Sequence, residues 1–243
     1  MDRYNRNILI DGFGVEGQEK LKKSRVLVVG AGGLGAPVLY YLVAAGVGEI
    51  AIVDYDVVDE TNLQRQILHF TQDTGRFKVI SAKEKLEALN PEVKIEALQV
   101  KLSAENAKGI IEQYDFIVSC TDNYETKFLV NDVCVSLHKA YSHGAVLALK
   151  GEVMTFLPGH SCYRCVFGDM PEEGTMPTSA QAGILGAVAG IVGSIQATEA
   201  IKYLVGVGTL ILDRILIVDA QSMNFYSLGV EKNKDCLCSH VSE

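Results

Sequence analysis

Residues 26–54, VLVVGAGGLGAPVLYYLVAAGVGEIAIVD, decide the fold of this chain. Residues 26–29 form a short β-branched run of the kind found in parallel strands that are covered on both faces. A glycine-rich turn, a helical stretch and a second apolar strand follow, and Asp54 closes that second strand. This order predicts a strand–turn–helix–strand unit with a nucleotide bound at the turn.

Three glycines in the turn, Gly30, Gly32 and Gly35, have the spacing G-x-G-x-x-G. The first permits a tight turn, the second lets backbone N–H groups approach a phosphate, and the third lets the helix pack on the strand. The following helix presents unpaired N–H groups and a positive dipole end to an anion. Asp54 lies 24 residues after Gly30, where its carboxylate can accept hydrogen bonds from ribose hydroxyls.

The composition indicates a globular protein without a membrane span. Of its 243 residues, 48% are apolar and 21% charged, and uninterrupted apolar runs stay shorter than the roughly 18 residues that a span requires. The first residues mix charged and apolar side chains and lack a signal-peptide cleavage site, which favours the cytoplasm. A net charge of −8 argues against nonspecific binding to nucleic acid.

Alternation of strand and helix patterns predicts an α/β fold. We expect a Rossmann-like, mainly parallel sheet flanked by helices, continuing into later strands, with a metal-stapled crossover loop. The chain reads as a single domain over 1–243, with a nucleotide-binding half at about 1–145 and a metal and crossover half at about 146–243. Apart from the opening unit, the pattern predicts helices at 16–23, 75–89, 104–113, 125–137 and 182–205 and strands at 93–98, 116–119, 141–145, 149–156, 214–219 and 223–228.

Four polar residues beyond the turn could handle a nucleotide. Arg65 offers a rigid donor fork for phosphate oxygens, Asn62 can bond ribose or phosphate, and Lys78 could supply a point charge. Asp122 follows a strand, and ligands of open parallel sheets bind at the carboxyl ends of strands, so Asp122 could hold Mg²⁺ near Asp54. Each residue also has a structural alternative: a solvated loop for Asn62 and Arg65, a helix surface for Lys78, and a helix N-cap for Asp122.

The cysteines divide into two kinds. Cys120 and Cys134 lie in apolar segments, where a small buried hydrophobic residue is expected. The other four form two close pairs, Cys162/Cys165 and Cys236/Cys238. In a reducing compartment such pairs more often hold a metal than form disulfides.

These motifs together resemble the MoeB/ThiF/HesA adenylyltransferases, relatives of the ubiquitin-activating enzymes. The resemblance begins in RYNRNILIDG and the glycine turn and continues through NLQRQ, GRFKVISAKEKLEALNP, SCTDN, SHGAVLALKGEVMTF, CYRC and AGILGAVAGIVGSIQATEAIKYL. It implies an enzyme that binds ATP and Mg²⁺ and adenylates the C-terminal glycine carboxylate of a small ubiquitin-like sulfur carrier ending in Gly-Gly. Pyrophosphate is released, and the carrier serves molybdopterin, thiamin or related sulfur-transfer biosynthesis.

The resemblance also implies residue roles. Gly33 would approach the phosphates and Asp54 would bind the ribose. Asn62, Arg65 and Lys78 match ATP-binding positions, and Asp122 matches the magnesium-coordinating aspartate. Arg6 matches an arginine that reaches across a dimer interface into the neighbouring site, so a homodimer is implied.

Two positions depart from the family pattern. The resemblance implies a structural Zn²⁺ held by Cys162, Cys165 and a second C-x-x-C pair. In this chain the second pair has one spacer residue instead of two, Cys236-Leu237-Cys238. Either Cys238 or His240 could therefore be the fourth ligand beside Cys236. We prefer Cys238 because cysteine dominates structural zinc sites. Ser179 stands where some relatives carry a crossover-loop cysteine, and a hydroxyl is a weaker nucleophile than a thiolate. Adenylation without a covalent carrier intermediate is therefore expected.

No general base is required, because a carboxylate nucleophile is already ionised near neutral pH. His69, His138, His143 and His160 are accordingly expected to be structural. The alternatives are an NAD-dependent dehydrogenase, a noncatalytic scaffold that binds nucleotide or a ubiquitin-like partner, and an enzyme that adenylates a small molecule or a tRNA. The dehydrogenase leaves Asn62, Arg65, Lys78 and the cysteine pairs unexplained.

Overall fold

The computed structural model describes residues 2–172, 175 and 179–240. Its strands form one eight-stranded sheet in the order β3-β2-β1-β4-β5-β6-β7-β8. The strands are β1 (Arg25–Val29), β2 (Glu49–Val53), β3 (Lys94–Leu98), β4 (Phe116–Ser119), β5 (Ala140–Leu147), β6 (Lys150–Phe156), β7 (Arg214–Asp219) and β8 (Asn224–Gly229).

Helices cover both faces of this sheet. They are α1 (Asn5–Ile8), α2 (Gly14–Lys23), α3 (Gly35–Ala45), α4 (Lys78–Leu89), α5 (Ala107–Ile111), α6 (Tyr124–Ser136), α7 (Tyr163–Phe167), α8 (Ser179–Ala182), α9 (Gly186–Val205) and α10 (Leu237–His240). Three short 3-10 helices accompany them: Asp2–Tyr4, Glu60–Asn62 and Thr71–Asp73.

The sheet joins a parallel half to an antiparallel half. Strands β1 to β5 pair in parallel, whereas β6, β7 and β8 are added antiparallel. Side chains of β1 and β4 alternate between two buried hydrophobic clusters, one on each face of the sheet. Coverage on both faces explains why these strands are apolar throughout rather than alternating. The predicted Rossmann-like, mainly parallel fold that continues into later strands is confirmed.

The long helix α9 packs against α3 over one face of the sheet. A methyl group on Gly193 would lie 2.5 Å from the Pro37 ring, so the small residue allows the two helices to approach closely. The prediction of a single helix over 182–205 is wrong at its start. Gly183 has a φ of +76°, which interrupts the chain between α8 and α9.

Two other elements differ from the sequence prediction. The sequence predicts no helix between 156 and 182, but the structure has α7 there, which is only five residues long and therefore too short to show a helical period. The helix predicted at 104–113 shortens to Ala107–Ile111, because Ser103 donates its N–H to the Asn106 side chain at 2.9 Å and forms a turn instead. In the part of the chain that the structure describes, no helix is long and apolar enough to cross a membrane.

Candidate active site

The glycine turn lies at the carboxyl end of β1 and depends on close backbone approach. Gly30 has a φ of +100°, and a methyl group there would lie 2.8 Å from the Cys120 carbonyl oxygen. A methyl group on Gly35 would lie 2.0 Å from the carbonyl oxygen of Gly30. The turn thus folds back onto itself at Gly35 and directs the start of α3 toward the space above β1.

Asp54 ties the end of β2 to this turn. One carboxylate oxygen accepts the N–H of Ala31 at 2.8 Å, and the other accepts the N–H of Asp56 at 2.9 Å. Burial raises the pKa of Asp54, while the Lys78 ammonium and these two N–H donors oppose that rise. Lys78, the first residue of α4, forms an ion pair of 2.9 Å with Asp56. Lys78 is only 6% exposed, so the helix-surface alternative is wrong.

The segment from Asn62 to Gln66 lies against the turn. A methyl group on Gly33 would lie 3.4 Å from Cγ of Arg65, and one on Gly32 would lie 3.5 Å from the Gln66 amide nitrogen. Asn62 ends the 3-10 helix Glu60–Asn62, and its carbonyl accepts the N–H groups of Arg65 and Gln66 at 3.1 and 2.9 Å. Asn62 and Arg65 are therefore held beside the turn. They do not lie in a freely solvated loop, which was the structural alternative for both residues.

Helix α9 fixes this segment from the other side. A methyl group on Gly186, the first residue of α9, would lie 2.5 Å from the Gln64 carbonyl oxygen and 3.0 Å from Cα of Arg65. The amide oxygen of Gln66 is buried and has no hydrogen-bond partner among the described residues. Nothing in the local sequence singles out Gln66, because its position next to Gly32 follows from the tertiary packing.

Asp122 follows β4, on the other side of β1 from Asp54. Because β2 and β4 each pair with β1, the two strand ends are separated by about 10 Å, or two interstrand spacings. Asp122 is exposed and makes no hydrogen bond or ion pair with another described residue. The N-cap alternative is wrong, because Asn123 caps α6 by accepting the Thr126 N–H at 2.8 Å.

Arg6 is not brought to this site within one chain. The N-terminal segment is tethered at the far end of α3, where the Tyr4 ring lies so close to Gly46 that a methyl group there would be 2.6 Å away. Gln18 donates to the Ala45 carbonyl at 2.8 Å and is itself bonded by Asn7. The glycine turn lies at the opposite end of α3, about 16 Å away for an eleven-residue helix.

A buried hydrogen-bonded chain supports the turn from below. His69 contacts the Ala31 carbonyl through Nε2 at 2.9 Å and the Ser81 hydroxyl through Nδ1 at 2.9 Å. Lys85 donates to Ser81 at 2.8 Å and to Asp73 at 2.5 Å. Since a backbone carbonyl only accepts, Nε2 must carry the proton and Nδ1 must accept from Ser81. The Ala31 peptide is thus held on both sides, by Asp54 at its N–H and by His69 at its carbonyl.

The four paired cysteines converge. Sulfur–sulfur distances are 3.4 Å for Cys162–Cys236, 3.4 Å for Cys165–Cys238 and 4.0 Å for Cys162–Cys165. All four sulfurs lie within 4.8 Å of one another, and His240 is not in the group. Tetrahedral zinc with bonds near 2.3 Å requires sulfurs about 3.8 Å apart. Cys120 and Cys134 are buried among apolar side chains, as predicted.

Comparison with known proteins identifies the family. Residues 4–239 match the ThiF family. The chain belongs to the ThiF family. It is 45% identical over 242 residues to the sulfur carrier protein adenylyltransferase of Thermus thermophilus, covering 97% of this chain and 89% of that protein. The SAMP-activating enzyme E1 of Haloferax volcanii is 44% identical over 236 residues, covering 97% of this chain and 87% of that protein.

Solved structures agree on the fold of this ThiF family member. The crystal structure of E. coli MccB with ATP superposes with a TM-score of 0.87, covering 98% of this chain and 73% of MccB. At 23% identity, that likeness concerns the fold alone. Membership in the ThiF family argues against the dehydrogenase alternative, because the relatives named above are adenylating or activating enzymes.

Ser179 begins α8, but its side chain, like all of Thr178, lies outside the described residues. The expectation that adenylation proceeds without a covalent carrier intermediate therefore stays a prediction.

Proposed function

We propose that this protein uses ATP to adenylate the C-terminal glycine carboxylate of a small ubiquitin-like sulfur carrier that ends in Gly-Gly, releasing pyrophosphate. One observation carries the proposal. The glycine turn with Asp54, the Lys78–Asp56 ion pair and the Asn62–Arg65 segment meet at one edge of the sheet, in a chain 45% identical to a named sulfur carrier protein adenylyltransferase.

The charges at this edge suit the reaction. A carboxylate that attacks the α-phosphate of ATP brings two anions together, so nearby cations lower the repulsion. Arg65 and Lys78 are the cations that the fold holds beside the turn, and N–H groups at the start of α3 face the same space. Asp54 accepts hydrogen bonds at the end of β2, the position at which a ribose would be bound. The nucleophile, the terminal carboxylate of the carrier, is already ionised at neutral pH, so none of these residues has to act as a general base.

Asp122 is the residue that would hold Mg²⁺. Its carboxylate is exposed and without a hydrogen bond or ion pair to the described residues, which leaves its oxygen lone pairs for a hard cation. When bound, the cation neutralises phosphate charge. The test is Asp122→Ala, which should abolish ATP–pyrophosphate exchange while leaving the unfolding midpoint unchanged.

A homodimer would complete the site. An apolar groove of about 830 Å³ lies between α3 and α9, with Tyr41, Ile67, Ile191 and Phe225 among its lining residues. Arg6 lies at the wrong end of α3 for its own site, and a two-fold dimer could carry it to the site of the other subunit. Mixed dimers that combine an Arg6→Ala chain with an Asp122→Ala chain should recover part of the activity. Absence of recovery would argue against a shared site.

The cysteine cluster suits a structural zinc. We assign Cys162, Cys165, Cys236 and Cys238 as its ligands, because their sulfurs already approach tetrahedral spacing. The site would join α7 to α10, whose sequences are 73 residues apart at Cys165 and Cys238. Zinc–thiolate ligation of this kind is typical of a reducing compartment, which favours the cytoplasm.

The deciding experiment is ATP–pyrophosphate exchange with candidate carriers from the molybdopterin and thiamin routes. Mass spectrometry of each carrier after incubation with ATP should show the gain of one adenylyl group on the cognate carrier. Exchange without any carrier, or adenylation of a tRNA or small molecule instead, would contradict the proposal.

A further inference from the structure

One buried lysine has no hydrogen-bond or ion-pair partner among the described residues. Lys127, on α6, is 8% exposed, yet its ammonium makes no hydrogen bond or ion pair with another described residue. The other lysines with little exposure near the site are paired: Lys78 with Asp56 at 2.9 Å, and Lys85 with Asp73 at 2.5 Å. An unpaired buried charge is costly, so a lysine that is left unpaired calls for a ligand or another reason.

The groups around Lys127 attract its positive charge, but none of them forms an ion pair with the ammonium. The ammonium lies over the Tyr124 ring, 5.1 Å from its centre. Two carboxylates act on it electrostatically, those of Glu152 and Asp122. Glu152 is already engaged by His143, whose Nε2 lies 3.3 Å from its carboxylate oxygen. Burial lowers the pKa of Lys127, and the attraction of the two carboxylates only partly opposes that effect.

The register of the sheet places this group beside the nucleotide site. Ser119, the last residue of β4, pairs with Val29 at the end of β1 and with His143 on β5. The glycine turn and Asp122 come directly after this row. Lys127 lies in the first turn of α6, which starts from the same edge after Asn123. Lys127 therefore approaches Asp122 from the β5 side, whereas Lys78 lies on the β2 side, near Asp54 and Asp56.

We propose that the Lys127 ammonium binds the terminal carboxylate of the acceptor and holds it for attack on the α-phosphorus. This inference rests on the proposed function and assigns a residue to its second substrate. In the step, a carboxylate oxygen forms a bond to the α-phosphorus while the bond from that phosphorus to the bridging oxygen breaks, and pyrophosphate leaves with the electron pair. Lys127 keeps its proton throughout, because it acts as a counter-charge and not as an acid.

The test compares two forms of one carrier, chosen because the unchanged protein adenylates it. One form ends in a free Gly-Gly carboxylate and the other in a C-terminal amide, which cannot react and carries no charge. Binding of each is measured by calorimetry, without ATP, to the unchanged protein and to Lys127→Met, Lys127→Arg and Lys127→Gln. Lys108→Met, on the exposed face of α5, is the matched control.

A direct contact predicts a specific pattern. Lys127→Met and Lys127→Gln should weaken binding of the carboxylate form about ten- to a hundredfold, the worth of a charge-assisted hydrogen bond. Their affinity for the amide form should match that of the unchanged protein. Lys127→Arg should recover most of the loss, Lys108→Met should change nothing, and ATP affinity should stay constant in all variants.

Other patterns overturn the inference. An equal loss for the carboxylate and amide forms would show that Lys127 only balances Glu152 and supports the fold. No loss for either form would show that Lys127 does not touch the acceptor. Should the unchanged protein adenylate no carrier at all, the proposed function itself fails, which is a different result from a failure confined to the Lys127 variants.

Discussion

Replacing Gly35 by alanine tests the geometry on which the nucleotide site depends. The added methyl carbon would lie 2.0 Å from the Gly30 carbonyl oxygen and 2.9 Å from its carbon. A Cβ atom essentially never approaches within 3.0 Å, so the oxygen or α3 must move by about 1.0 Å. The obstructing atom belongs to the backbone of the turn, and Gly30 is itself held by its N–H bond of 2.8 Å to Val53.

The expected cost follows from that displacement. Overpacking by one methyl group costs about 1–3 kcal/mol, and a rigid backbone obstacle places Gly35→Ala at the upper end of that range. With a urea dependence of about 2–3 kcal/mol per molar, the unfolding midpoint should fall by roughly 1 M. ATP affinity should fall as well, because the N–H groups at the start of α3 move with the turn.

Gly109→Ala is the matched control. Gly109 lies within α5 and has no atom within 4 Å of the position a methyl group would take. Alanine there should stabilise the helix by up to about 1 kcal/mol. The two substitutions are chemically identical and should shift the urea midpoint, followed by circular dichroism, in opposite directions. An equal midpoint for both variants would refute the argument from close approach.

Three further predictions concern the supporting structure. Burial raises the pKa of Asp73, but hydrogen bonds from Lys85 and from a backbone N–H outweigh it and lower the pKa to about 2. The ionised carboxylate should therefore stabilise the fold by up to about 2 kcal/mol at pH 7 and by about half of that at pH 3. Asp73→Asn should lose this stabilisation, and the difference in urea stability between the variant and the unchanged protein should shrink as the pH falls from 5 to 2. His69→Leu should raise the KM for ATP and cost about 1–3 kcal/mol of stability, because the Ala31 carbonyl loses its hydrogen-bond donor. His69→Gln should recover both the KM and the stability. Equal KM values for the two variants would speak against a positioning role of His69. Cys236→Ser should remove about one bound zinc per chain and lower the melting temperature, whereas Cys134→Ser should leave the zinc content unchanged; equal metal content in the two variants would reject the cluster as the ligand set.

Much of the fold followed from local patterns. The apolar runs predicted β4 and β7 with the bounds that the structure has: β4 is buried at every position, and β7 has four consecutive apolar residues between Arg214 and Asp219. The glycine spacing and Asp54 predicted the turn, since a backbone that folds this tightly tolerates few other residues. The two cysteine pairs likewise indicated a cluster, although the sequence left Cys238 and His240 as alternatives.

The tertiary structure decided which polar residues act together. The histidine His69 could be expected to be structural from the sequence, but only the fold revealed that it holds the Ala31 carbonyl. In the sequence Lys127 looks like an ordinary helix residue, and its burial without an ion pair depends on the packing of α6 against β5. Periodicity and spacing describe neighbours along the chain, whereas charge pairing at a site is set by side chains that are distant in sequence. The sequence therefore determined the elements and the nucleotide turn, and the packing of the sheet edges determined which charges are satisfied and which are left for a ligand.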